Sequence, residues 1–281
     1  MRATDARKKL KRLLADRTES WDLAEAALLI SSEVDPELEP RAFLALLDGW
    51  ASELRGRLIR RPGLASSLDE MAAFLGDEQG LAGNSQNYYD PENSLLNRVL
   101  ERKTGIPISL SIIYLSMAER LRLPLKGIPL PGHFLVGIQS KDLWYDPFDK
   151  GKRLRNEDLA AILRRLFGPE ARLTDEMLKP SGKRQILARM VRNLKYVYIS
   201  RQDLPRLLWC ADLGLSLEPR EADLLKERGL VRYQLGHYQL AKSDLQGYLK
   251  KLERKKQAPA GGEDAGRQHV ELLNRVLAAM N

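Results

Sequence analysis

The sequence predicts an α+β fold, mostly helical with a small antiparallel sheet, followed by an all-α domain of helical repeats. Three observations carry that expectation. Apolar residues recur at three- and four-residue spacing through much of residues 1–76, the pattern of amphipathic helices. Short β-type runs bounded by turn residues occupy 125–146, as strands require. From residue 183 onward the chain compares with itself at a shift of 34, the period of stacked helical hairpins.

The 281 residues suffice for one large domain or two modest ones, and the expected division is 1–182 and 183–281. A composition 43% hydrophobic and 30% charged excludes disorder throughout. The longest apolar stretch, 106–117, contains serines and is too short to span a bilayer, so no membrane association is expected. The basic N-terminus is followed by no apolar core or cleavage site of a secretory signal. A single cysteine, Cys210, excludes an internal disulfide, and the expected location is cytoplasmic. The formal charge of +8 gathers at 7–12, 55–61 and 250–256. No aromatics interleave those clusters, which read as solvated helix faces rather than a nucleic-acid surface.

Residues 1–20 read as a charged helix with a thin stripe of Leu10, Leu13 and Leu14. A second helix runs from Trp21 toward Asp35-Pro36, and a third covers 41–57 with Phe43, Leu46, Leu47, Trp50 and Leu54 on one face. A fourth, 67–76, precedes a Gly/Asn-rich loop at 80–87. All four read as scaffold.

The informative stretch is 91–151. Asn93 or Ser94 is suited to cap a helix over 95–103, and Thr104-Gly105 to stop it. Ile106-Pro107 reads as extended. Ser109 stands where it could cap a second helix, 110–121, apolar almost all round and therefore buried. Strands follow at 125–129, 133–138 and 143–146, the last two forming a hairpin that makes His133 and Asp146 diagonal neighbours. An Asp so placed holds an imidazole in one tautomer and stabilises its charged form. His133, His237 and His269 lie far apart with no ligand spacing, so neither a metal nor a cofactor is expected.

A buried helix whose start faces a His–Asp hairpin resembles the transglutaminase-like (papain-like) superfamily, whose nucleophilic Cys sits at the helix N-terminus where the dipole favours thiolate. The segments AALLISSEVDPELEP, GNSQNYYDPENSLLNRVLERKTGIPISLS, LPGHFLVGI and YDPFDKG, in that order, are similar to the bacterial SirB family, a transglutaminase-like domain with C-terminal tetratricopeptide repeats. The resemblance spans most of 22–155 and assigns the His and Asp roles to His133 and Asp146. It does not supply the Cys: Ser109 is the nearest residue by type at the helix start, while an ungapped count back from Leu123-Pro124 lands on Pro107. Three readings stand. The core has lost catalysis and keeps the pair for packing and hydrogen bonding; Ser109 or Ser111 serves as nucleophile of a Ser–His–Asp hydrolase or acyltransferase; or the pocket binds a ligand or peptide end with no covalent step. The sequence favours the first and leaves the presence of an enzyme open.

Residues 157–167 read as a short helix, and Pro180-Ser181-Gly182 as a linker. In the repeat, Leu204, Leu207, Ala211 and Gly214 fall on Tyr238, Ala241, Leu245 and Tyr248, and Gly229 and Gly236 take the small positions. Cys210 falls in the second helix of the first copy, in a buried apolar role. A capping helix over 270–280 and a loop at 257–264 complete the expectation, since stacked repeats need a cap. The expected partner is a protein or peptide held in the repeat groove.

Overall fold

The computed structural model describes residues 3–60 and 63–256; the capping helix and loop expected beyond 256, and His269, lie outside the described residues. By internal contacts the chain divides into two units, one ending at Met190 and the other beginning at Val191.

The first unit opens with α1 (Ala3–Ala15), α2 (Leu23–Ser31), α3 (Pro40–Leu58) and α4 (Leu64–Ala73). α2 is buried at all but one of its nine positions. Its alanines allow close approach to neighbours, and Asp22 caps it by accepting from Glu25 N at 3.0 Å. α4 passes into a π-helical turn, Phe74–Glu78. A Cβ on Gly76 in that turn would sit 1.9 Å from Lys150 O, so only glycine lets the turn press against the loop that follows Asp146.

A two-residue strand, β1 (Ala82–Gly83), pairs in parallel with β2 (Thr104–Gly105). Between them come a 3-10 turn, Pro91–Ser94, and α5 (Leu96–Arg102). The α5 cap differs from expectation. Asn93 and Ser94 belong to the turn, and Leu96 N donates instead to Ser31 Oγ of α2 at 2.9 Å. The stop also differs: Lys103 takes the left-handed conformation, φ 60°, and Thr104-Gly105 is already strand.

α6 (Pro107–Arg120) is buried continuously from Pro107 to Ala118. It starts earlier than expected, with Pro107 at the first helical position, where a missing N–H is harmless. Ser109 is therefore the third helical residue, and its hydroxyl reaches back to accept from Ile106 N at 3.1 Å.

Four antiparallel strands follow in sequential order: β3 (Lys126–Ile128), β4 (Leu135–Ile138), β5 (Leu143–Asp146) and β6 (Lys152–Leu154). Ile128, Leu135, Trp144 and Leu154 form one cluster with Leu159 and Leu163 of α7 (Asn156–Phe167). Trp144 buries its ring and satisfies its indole N–H on Asn156 Oδ1 at 2.8 Å. α8 (Lys183–Ser200) carries the chain across the boundary into the second unit, whose helices are α9 (Leu204–Leu217), α10 (Ala222–Gln234) and α11 (Tyr238–Lys256). α9 and α11 begin 34 residues apart, as the repeat requires. α10 and α11 pack closely at Gly229, where a Cβ would lie 2.8 Å from Leu245 Cδ2.

Candidate functional site

β4 and β5 pair Val136 with Tyr145, and that register carries Leu135 opposite Asp146. His133, two residues before Leu135, falls diagonally across from Asp146, and its Nε2 lies 2.8 Å from Asp146 Oδ2. A carboxylate oxygen only accepts, so the ring nitrogen facing it, Nε2, carries the proton. The second carboxylate oxygen, Oδ1, accepts from Phe148 N at 2.9 Å, so Asp146 is fixed from two sides. His133 is fixed through its backbone: N donates to Leu130 O at 2.9 Å, and O accepts from Arg189 Nη2 at 2.8 Å. Their side chains are 15% and 10% exposed, enclosed but reachable.

The pair lies in a cavity of about 700 Å³ shared with Pro107, Tyr88 and Phe148. One wall is aromatic. Phe148 meets the His133 ring edge-on at 6.1 Å, and Tyr88 lies 6.1 Å beyond it. Phe148 covers Gly83 so closely that a Cβ there would sit 2.5 Å from the ring. Burial pushes the Tyr88 phenol up from its ordinary value, with Arg189 opposing. Beneath the site, Tyr114 of α6 is wholly buried. Burial first, then the Asp146 and Asp77 carboxylates, hold its hydroxyl well above the usual phenol range.

Ser109 and Ser111 are both fully buried, and neither lines this cavity. The Ser109 hydroxyl donates to Asn93 O at 2.5 Å and accepts from Ile106 N, while Ser111 Oγ faces Phe134 O at 3.4 Å. Of the residues considered at the α6 start, Pro107 is the one facing the cavity with His133 and Asp146. Cys210 is buried in α9, in the second unit. Among the described residues no group of three or more His, Cys, Asp or Glu side chains is placed to hold a metal ion.

Sequence reasoning passed over Tyr88 and read Asn93 only as a helix cap. Asn93 is fully buried: its Nδ2 donates to Asn87 O at 2.7 Å and its Oδ1 accepts from Asn84 Nδ2 at 3.1 Å. It thereby holds the loop carrying Tyr88. The available signal was the density of Asn and Tyr in GNSQNYYDPEN, more than a mobile loop needs.

A helix start facing a His–Asp hairpin, joined to a unit of helical hairpins, defines a transglutaminase-like core with a repeat extension. Residues 41–192 match the family described as the transglutaminase-like superfamily, and residues 194–277 match the tetratricopeptide repeat. The chain belongs to the transglutaminase-like superfamily and, within it, to the SirB-like family. It is 37% identical over 236 residues to a UPF0162 protein of Xylella fastidiosa, covering 82% of this chain and 84% of that one. It is 25% identical over 185 residues to Protein SirB1 of Salmonella typhimurium, covering 65% and 68%. A segment of human F-box only protein 21 is 30% identical over 182 residues, 60% of this chain and 28% of that protein. Tetratricopeptide repeats form extended concave surfaces suited to protein–protein interaction. Among the described residues no helix is long and apolar enough to cross a membrane.

Proposed function

We propose that this chain is a non-catalytic transglutaminase-like protein that acts through protein–protein interaction. The observation carrying this reading is Pro107 at the α6 start, lining the cavity beside His133 and Asp146. Acyl transfer needs a nucleophile within hydrogen-bond reach of its base, and a pyrrolidine ring has none. Proline also lacks the amide N–H that a helix N-terminus would aim at a developing oxyanion. The Ser109 hydroxyl is occupied with Asn93 O and Ile106 N, which argues against the Ser–His–Asp alternative. On this reading His133 and Asp146 tie the 130–133 turn to β5 and shape the cavity floor.

The test is a panel of ester, amide and acyl-transfer assays on the purified full-length chain and on His133→Ala. The expected result is no activity in the wild type that His133→Ala removes. Turnover lost in that variant, or His133-dependent labelling of Ser109 by a serine-directed acylating probe, overturns the reading.

A further inference from the structure

We propose that the cavity over His133 and Asp146 is a docking cleft for a short extended acidic segment of another polypeptide. This rests on the interaction reading above and names a partner for its first unit.

The shape comes from two walls. Besides the wall of Tyr88 and Phe148, α7 contributes Asp158, Ala161, Ile162, Arg165 and Leu166 to the cavity, positions that fall on one helix face. The other face of α7 is anchored in the core through Leu159 and Leu163, so the wall is fixed. Leu166 packs over the turn that presents His133. Gly132 there has φ +72°, and a Cβ on it would meet Leu166 Cδ1 at 2.7 Å. Even so, Leu166 remains 46% exposed and Tyr88 38% exposed, accessible apolar surface on the lining of one cavity. From Asp158 to Leu166 the wall is about 12 Å long at helical rise, the reach of about four extended residues.

The charge selects among peptides. Asp146, Asp149 and Asp158 line the cleft, and each is already engaged. Asp146 faces His133 and Phe148 N; Asp149 pairs with Lys152 at 3.5 Å; Asp158 accepts from Arg155 N at 2.8 Å. Arg165 and Lys150 also line it, and no ion pair within the described residues engages either. Counting Lys152, the lining is balanced in formal charge, and the charged side chains in it that lack a partner among the described residues are the two cations. A carboxylate-bearing segment meets it while an apolar side chain inserts between Tyr88 and Ile162. Basic segments leave both cations opposed, and purely apolar ones leave them unmatched.

The experiment uses the full-length chain and two fluorescein-labelled octapeptide pools, identical in apolar positions, one with Glu and one with Arg at alternate sites. Anisotropy is expected to show the Glu pool binding and the Arg pool not, with binding weakening as NaCl rises. The double variant Lys150→Glu/Arg165→Glu, checked for an unchanged thermal transition, is expected to lose the Glu pool by about tenfold and to gain the Arg pool. That swap is not expected from a merely structural defect. No binding of either pool, equal binding of both, or Glu-pool binding unchanged in the double variant overturns the proposal. Mass spectrometry of the recovered peptides separates the two readings. Cleaved or acylated peptides overturn the non-catalytic reading and leave the cleft standing, whereas intact, unbound Glu peptides sink the cleft alone.

Discussion

Ser109 illustrates how a hydroxyl at a helix start can be fully occupied with architecture. Its oxygen joins the α6 entry, through Ile106 N, to the 3-10 turn before α5, through Asn93 O. Removing it strips Asn93 O of its short hydroxyl donor, leaving only the long contact from Ile106 N at 3.4 Å, and takes from that amide its nearer acceptor. Ser109→Ala is expected to destabilise the first unit by about 1–3 kcal/mol, read as a lowered denaturation midpoint at constant m-value. A nucleophile would show the opposite signature, lost turnover with little change in stability. The His133–Asp146 juxtaposition was legible in the sequence because two short strand-like runs, 133–138 and 143–146, separated by a tight turn are a local signal. Tyr88 was not, because its place in the cavity comes from Phe148, far along the chain, and Asn93, suited by position to a cap, instead holds the Tyr88 loop through Asn87 O and Asn84 Nδ2.

At the scale of elements, the same divide separates what pattern reveals from what packing decides. The continuous apolar run of α6 placed it in the centre, and the structure buries it there. β6 gave no strand signal, since two of its three residues are charged and exposed; edge strands carry such residues to resist further pairing. The α5 cap was assigned to adjacent polar residues, yet Ser31, 65 positions away, provides it. In the second unit, the 34-residue comparison read Gly229 as a small position, and its reason is steric. A methyl there would meet Leu245 Cγ at 2.9 Å and Ala241 O at 3.3 Å. Gly229→Ala gains about 1 kcal/mol of helix propensity against about 1–3 kcal/mol of overpacking. The expected net effect is a loss of stability in the helical unit, visible as an earlier thermal transition by circular dichroism.

At the scale of the whole molecule, buried phenols among the described residues are expected to set an alkaline limit to stability. Tyr114 and Tyr145 are held above the usual phenol range, Tyr114 by burial and nearby carboxylates, Tyr145 by burial and then its hydrogen bond to Asp69. Tyr198, in the second unit, is pushed up to about 12, mainly by burial. A group whose folded pKa lies above its unfolded value contributes stability that is complete below the unfolded value, about pH 10 for tyrosine. That contribution is lost as pH rises through the folded value. The Tm is therefore expected to fall above pH 10, tracking phenolate absorbance near 295 nm, and Tyr145→Phe is expected to blunt the fall. A Tm unchanged from pH 8 to pH 11.5 would count against it.

The placement of Cys210 has a practical consequence. The chain has one sulfhydryl, and it lies 1% exposed in α9. A thiol-directed chromophore can reach it only when the surrounding helices part. Its reaction rate, compared with that of the denatured chain, becomes a built-in clock for local opening of the helical unit. The transglutaminase-like unit, having no sulfhydryl of its own, stays silent in that signal. Partner occupancy that slows the clock could thus be assigned to the helical unit without adding a label.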